Sequence, residues 1–277
     1  MITARLSPIL LVLLAFRVQS ATRTRIETEV QRGDNLEKRT DVFTVDANRA
    51  RLDMYSGEAT STNTSSYMLT VDGGKTWYLS DPVNKKTVCT QWDTKSFFTG
   101  VGELIHYAQE FVGAEVKHGP VKVTLNEPGP KMLGYNTRHL KLKYSLNAEA
   151  WLLFSKREYT LEFHDEVWVS PDLKLSSIEQ AWYKAMSETG YSQLDQLSKK
   201  WNQHVSGTVI KMISDVTLHN KTKNERRQKQ ERVQVTKVET LKSEKITPEL
   251  FKVPTCNKVS KKEMEKAAKA MLKGIAK

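Results

Sequence analysis

The chain has 277 residues, which is enough for one large domain or two modest ones with a buried core. Its net charge of +11 is concentrated at the C-terminal end, where residues 221–277 hold 17 Lys and Arg against 7 Glu, a balance of +10. Aromatic residues make up 8% of the chain and do not alternate with basic ones, which argues against a base-stacking surface for nucleic acid.

The first twenty residues are typical of a secretory signal peptide. Arg5 gives a cationic start, an apolar run extends from Ile9 to Phe16, and the segment ends in Val-Gln-Ser at residue 20. The run is shorter than the roughly 20 residues that a membrane anchor needs, and no Cys stands at the cleavage point as in a lipoprotein signal. We therefore expect cleavage after Ser20 and a periplasmic or secreted protein, with no transmembrane helix and no nucleic-acid partner.

Residues 22–92 predict a meander of short antiparallel strands, because apolar residues alternate and short polar turns separate the runs. One turn lies within TVDGGKTW, where Asp72, Gly73 and Gly74 suit a turn of two or three residues with positive φ. The stretch resembles the Asp-box of sialidases, but it occurs once, whereas a propeller repeats its motif in several blades. It therefore predicts a β-hairpin and not a glycosidase.

The apolar period then changes to that of a helix over Phe97–Val112, with Gly113 as its end. The helix has one apolar stripe, which is either ordinary core or a lid over a concave sheet. The candidate lid residues of this stripe are Phe97, Val101, Leu104, Ala108 and Phe111.

Strands are predicted again from residue 121 to residue 174. Within them, His164, Asp165 and Glu166 favour a polar turn between two strands over a metal site. A second helical zone starts with a capping box at Ser176, is interrupted at Gly190 and continues to Trp201. Two long strands over 207–220 and 229–244, a short turn at 246–254 and a basic helix at 260–277 complete the prediction.

The sequence carries no motif for catalysis or metal binding. None of the six histidines stands in H-E-x-x-H or at a ligand spacing with Cys, and there is no G-x-S-x-G elbow or phosphate-binding glycine loop. We expect no enzymatic activity, no metal and no cofactor. The two cysteines, Cys89 and Cys256, either pair in a disulfide or are two separate buried thiols, and the sequence leaves both alternatives open.

A resemblance to a known family rests on four segments, which are RARLDMYS at 49–56, MLTVDGGKTWYLSDPVNKKTV at 68–88, EVWVSPDL at 166–173 and KITPELFKVP at 245–254. In this order they resemble the LolA/LolB-like superfamily and, within it, a domain-of-unknown-function family of exported bacterial proteins. The resemblance implies an α+β fold, a curved antiparallel β-barrel left unclosed (a half-barrel), with helices packed on its concave face. In that superfamily the cavity holds lipoprotein acyl chains or senses envelope components. The second helical zone and the basic terminal helix depart from the carriers.

These observations divide the chain into a signal peptide at 1–20, a half-barrel domain at 21–256 and a basic C-terminal helix or tail at 257–277. We expect an exported binding protein of the cell envelope that holds a lipid acyl chain or another apolar ligand. The alternative is an envelope structural or interaction protein with a fully packed core and no small ligand.

The candidate cavity residues share a side of their strands, and each is either cavity lining or ordinary core. They are Trp77, Leu79, Tyr159, Leu161 and Phe163. The terminal helix either is a solvated end or binds an anionic membrane surface through its lysines. The lysines concerned are Lys261, Lys262, Lys266, Lys269 and Lys273.

Overall fold

A computed structural model describes residues 21–56, 66–83, 86–113, 115–152, 155–172, 177–241 and 246–258 of the protein. The predicted signal peptide and the predicted terminal helix with its lysines lie outside the described residues. The division of the chain at residues 20 and 256 therefore stays a prediction.

The described strands form one sheet of thirteen strands. The strands are β1 (Thr22–Arg32), β2 (Asn35–Asp46), β3 (Arg49–Ser56), β4 (Ser66–Thr70), β5 (Thr76–Val83), β6 (Lys86–Asp93), β7 (Glu115–His118), β8 (Lys122–Met132), β9 (Tyr135–Leu152), β10 (Ser155–Ser170), β11 (Thr208–Asn220), β12 (Glu225–Leu241) and β13 (Asn257–Lys258).

The strand order is β13-β6-β5-β4-β3-β2-β1-β12-β11-β10-β9-β7, and β8 pairs with β9 beside β7. Every described pairing is antiparallel except that of β13 with β6. The sheet is curved and its two ends do not pair, so the predicted α+β half-barrel with helices on its concave face is confirmed.

Three α-helices occur among the described residues, α1 (Thr94–Val112), α2 (Ser177–Met186) and α3 (Ser192–His204). The first begins earlier than its apolar stripe, because Asp93 caps it by accepting a hydrogen bond from the Ser96 backbone N–H at 2.6 Å. It ends at Gly113, whose φ of 57° is the left-handed conformation that glycine adopts readily. None of the described helices is both long and apolar enough to cross a membrane.

The hairpin predicted from TVDGGKTW is present between β4 and β5, but its connection spans five residues rather than two or three. Asp72 explains the longer connection, since its Oδ1 accepts hydrogen bonds from the Thr70 hydroxyl at 3.0 Å and from the Thr76 N–H at 2.9 Å. Burial alone would raise the pKa of Asp72, but these hydrogen bonds outweigh it and hold the pKa below its ordinary value.

The predicted polar turn at His164–Glu166 is wrong. Strand β10 continues through these residues, and the break between strands lies between Leu152 and Ser155. Consecutive residues of a strand face opposite sides of the sheet, so His164 is exposed while Asp165 is 2% exposed. Three consecutive polar residues resemble a turn when they are considered alone, without the alternation of Leu161, Phe163 and Val167 around them.

Two apolar clusters form the core on the concave face. The larger joins strands β1 to β5, β11 and β12 to Phe98 of α1, with Ala185 and Met186 of α2 packed against it. The smaller lies between β9, β10 and β11 and includes Leu140, Val167 and Val209, with Trp201 of α3 against it. The helices therefore cover part of the concave face directly.

The C-terminal segment of the described chain packs against the part of the sheet that contains β3 and β6. A 3-10 turn at Pro248–Phe251 buries Phe251, and the Arg49 guanidinium lies 4.6 Å from the centre of its ring. The two cysteines form a disulfide between Cys89 of β6 and Cys256, with Cα atoms 4.6 Å apart. Strand β13 then pairs in parallel with β6.

Candidate functional site

A row of half-buried apolar side chains lies on β10, and its members are Tyr159, Leu161 and Phe163. We call these three residues the β10 row. They alternate with Glu162 and His164 and share a side of the strand with Val167, which is fully buried in the smaller apolar cluster. The β10 row therefore lies on the concave face.

Neighbouring strands extend the β10 row with further apolar side chains. Leu161 is directly opposite Leu146 of β9 and Leu218 of β11, and Phe163 is opposite Tyr144 and Val216. Directly opposite residues of an antiparallel sheet face the same side. The half-buried apolar surface is thus at least three strands wide.

A polar cluster lies at the end of the β10 row, around Asp165, which is two residues beyond Phe163 on the same face of β10. Three groups donate to its buried carboxylate: the Tyr144 hydroxyl at 2.7 Å, the Ser214 hydroxyl at 2.6 Å and the Trp201 indole N–H at 3.2 Å. The donors come from β9, β11 and α3. We call Asp165 with these three residues the Asp165 cluster, and it attaches α3 to the sheet.

Tyr144 contacts both the β10 row and Asp165. Its ring stacks on Phe163 with centroids 4.7 Å apart and planes 9° apart, while its hydroxyl donates to Asp165. Burial, the nearby Asp165 charge and this hydrogen bond all raise the pKa of Tyr144. The phenol therefore remains neutral and a hydrogen-bond donor at physiological pH.

The two candidate cavity residues of β5 lie elsewhere. Trp77 is 2% exposed in the larger apolar cluster, and Leu79 packs against that cluster. Aromatic contacts continue from Trp77 to Trp92 at 6.3 Å and from Trp92 to Phe97 of α1 at 5.2 Å. Strands β5 and β10 are seven places apart in the sheet order, so the structure places the candidate cavity residues in two separate groups.

The candidate lid helix packs against α2 and against strands β6 and β9. Of its five stripe residues, Phe97 and Val101 are half-buried. The side chains of Leu104, Ala108 and Phe111 lie outside the described residues.

Two basic residues border the apolar surface on the side of β12, and sequence reasoning missed them. Arg227 is directly opposite Leu218 and Lys229 is directly opposite Val216. Both cations are exposed and face the concave side with their partners. In the sequence, Arg227 and Lys229 stand at alternate positions in register with Val233, which is buried. This pattern could have placed both cations on the same face as the core.

No group of three or more His, Cys, Asp or Glu side chains within the described ranges is arranged to hold a metal ion. His139 does contact two carboxylates on the convex face, with Nε2 2.7 Å from Glu166 and Nδ1 3.5 Å from Glu127. Burial would raise the pKa of Glu166, but the hydrogen bonds from His139 and Lys141 outweigh it and lower the pKa. The contacts form a charged surface network.

No protein-family model matches the sequence, and no curated protein matches it with significance. Solved structures match the chain at low TM-scores, among them these three. The complex structure of Pseudomonas aeruginosa MucA/MucB matches at 13% identity and a TM-score of 0.30, covering 85% of this chain and 56% of that one.

The crystal structure of MucB in complex with MucA(peri) matches at 11% identity and a TM-score of 0.29, covering 84% of this chain and 54% of that one. A LolA superfamily protein from Nitrosomonas europaea matches at 8% identity and a TM-score of 0.27, covering 87% and 93% of the two chains. The chain thus spans little more than half the length of the first two chains it matches.

Proposed function

We propose that the protein is an exported binding protein of the cell envelope and that the β10 row holds an apolar ligand such as a lipid acyl chain. The observation that supports the proposal most strongly is a difference in side-chain burial along one face of β10. Val167 and Val169 are fully buried, whereas Leu161 and Phe163 on the same face remain half-buried. Export rests on the signal peptide predicted at 1–20.

The chemistry of the surface suits an apolar ligand. Ligand sites are concave and mostly apolar, with a few fixed polar groups, and covering apolar surface contributes about 25 cal/mol per Å². The Asp165 cluster supplies the polar end, and its carboxylate already accepts three hydrogen bonds. A ligand therefore has apolar surface to cover without displacing a buried charge.

The same groups argue for binding rather than catalysis. A general base must lie within hydrogen-bond reach of a substrate, whereas the Asp165 carboxylate is buried and accepts hydrogen bonds from three protein donors. The raised pKa of Tyr144 likewise makes its phenolate inaccessible near neutral pH. We propose no reaction at this site.

The alternative function is an envelope structural or interaction protein without a small ligand. It is favoured by the packing around Trp77, which is 2% exposed and whose aromatic contacts join the sheet to α1. The two proposals differ in one respect, which is whether the β10 row takes up an apolar molecule.

Titration with the uncharged fluorescent probe N-phenyl-1-naphthylamine tests the proposal. We expect saturable binding to the wild-type protein and, for Leu161→Gln, binding weakened by about tenfold, because an apolar contact of about 1.4 kcal/mol is lost. Leu218→Gln on the adjacent strand should weaken binding similarly.

The matched control is His164→Gln, which places the same side chain on the opposite face of β10 and should change the affinity less than about twofold. Circular dichroism establishes that each variant is folded. Absence of saturable binding to folded wild-type protein, or equal losses in the Leu161 and His164 variants, would favour the packed-core alternative.

A further inference from the structure

We propose that the ligand is an anionic amphiphile whose carboxylate or phosphate headgroup lies against Arg227 and Lys229 while its apolar chain covers the β10 row. This inference rests on the proposed function and names the chemical class of the ligand. It adds an electrostatic contact to the apolar surface on the side of β12.

The strand register places the two kinds of surface side by side. Leu218 lies between Leu161 of β10 and Arg227 of β12, and Val216 lies between Phe163 and Lys229 in the same way. Adjacent strands are about 4.8 Å apart, so each cation starts about 10 Å from the β10 row on the same face. A single amphiphile spans that distance.

The charge around these residues is strongly positive. The end of the β11–β12 hairpin, residues 221–229, holds five Lys and Arg against the single Glu225, a net charge of +4. On the same face of β12, Glu225 lies two residues before Arg227 and Glu231 lies two residues after Lys229, and Arg32 already engages Glu231 at 3.1 Å. An anionic group is therefore favoured at this end of the concave face.

The side chains themselves are suited to an amphiphile. Arg and Lys lay their aliphatic stems along apolar surface while the charged ends stay in water. Arg227 and Lys229 can thus lengthen the apolar surface of Leu218 and Val216 and present cations at its border. An Arg guanidinium also pairs with a carboxylate or phosphate through two parallel hydrogen bonds, which gives the headgroup a defined position.

Competition against bound N-phenyl-1-naphthylamine tests the inference with two ligands of equal chain length, oleate and the uncharged oleyl alcohol. We expect the wild-type protein to bind oleate about tenfold more tightly than oleyl alcohol, since charge-assisted contacts favour the carboxylate. The double variant Arg227→Gln/Lys229→Gln should lose this preference while still binding oleyl alcohol.

The control is Lys223→Gln/Arg226→Gln, which removes the same net charge from the hairpin. Arg226 faces the convex side, where it lies 3.6 Å from Glu162, so this variant should keep the preference for oleate. Acetate has the headgroup without the chain and should not displace the probe.

The outcomes separate the two proposals. If oleyl alcohol binds but the Arg227/Lys229 variant keeps the oleate preference, or the control loses it equally, the headgroup inference is overturned and the proposed function stands. Displacement of the probe by acetate would show a simple anion site and overturn the inference as well. If the probe binds but neither oleyl compound displaces it, the headgroup inference is overturned. If the probe and both oleyl compounds fail to bind, the proposed function and the inference fall together.

Discussion

Asp165 is the residue on which the geometry of the candidate site depends. A buried carboxylate without partners costs several kcal/mol, and this one is stabilised by donors from Tyr144, Ser214 and Trp201. Because Trp201 belongs to α3, one carboxylate fixes the position of a helix relative to two strands. Asp165 is therefore a positioning residue for the β10 row.

We predict that Asp165→Asn lowers the free energy of unfolding by about 3 kcal/mol, because the neutral amide has one acceptor oxygen in place of two and loses the charge-assisted hydrogen bonds from these donors. Trp201→Phe removes only one of the three hydrogen bonds and should cost about 1 kcal/mol. Urea denaturation measures both changes.

The control is Asp215→Asn, on the adjacent strand, where the carboxylate accepts an exposed hydrogen bond from Gln230 at 2.7 Å. Its effect should stay within about 0.5 kcal/mol, as for most surface substitutions. Equal effects at Asp165 and Asp215 would contradict the positioning role.

The sequence held part of this information. Asp165 follows Leu161 and Phe163 and precedes Val167 at strictly alternate positions, so its place on the apolar face could have been read from the pattern. The three residues that donate to Asp165 could not have been identified from this pattern, because they lie between 21 and 49 residues away in the chain. Long-range hydrogen bonding is decided by strand register, which the sequence does not display.

At the scale of elements, helix α1 approaches the α2–α3 connection closely through a glycine. A Cβ atom on Gly102 would overlap the backbone carbonyl oxygen of Thr189, whereas one on Gly100 would meet open space. Two glycines of the same helix thus have different roles, since only Gly102 is needed for the approach.

We predict opposite effects for alanine at these two positions. Gly100→Ala should stabilise the protein by about 1 kcal/mol, which is the usual gain in helix propensity. Gly102→Ala should destabilise it by about 1–3 kcal/mol, because backbone atoms must move to admit the methyl group. Thermal unfolding followed by circular dichroism compares the two, and stabilisation by both substitutions would show that α1 does not pack against this connection.

The elements that sequence reasoning predicted well are those determined locally. The β4–β5 hairpin follows from the Asp72-Gly73-Gly74 turn, and the end of α1 follows from Gly113. The pairings of β12 with β1 and of β11 with β10 are not local, because long stretches of chain separate the paired strands. For that reason the prediction assigned the basic charge to the tail and did not find Arg227 and Lys229 beside the apolar row.

For the molecule as a whole, the disulfide fastens the C-terminal segment across a sequence separation of 167 residues. It holds β13 on β6, at one end of the open sheet. A cross-link that closes a long loop stabilises a protein mainly by restricting its unfolded chain. The disulfide therefore acts on the stability of the whole half-barrel.

We predict that Cys89→Ala/Cys256→Ala lowers the free energy of unfolding by about 4 kcal/mol. Adding a thiol reductant should lower the stability of the wild-type protein by a similar amount and leave the double variant unchanged. Urea denaturation with and without reductant distinguishes the cross-link from the packing of the two side chains. A loss in the variant with no effect of reductant would assign the stability to packing instead.

One part of the concave face is packed core, and the β10 row is a half-buried apolar part that we propose binds a ligand. Lipid mass spectrometry tests this ligand site most directly. The protein and its Leu161→Gln variant are purified from the native host without detergent and extracted with organic solvent. We predict an acidic amphiphile in stoichiometric amount with the wild-type protein and a several-fold smaller amount with the variant. Recovery of no lipid from either protein, or of equal amounts from both, would contradict a ligand site at the β10 row.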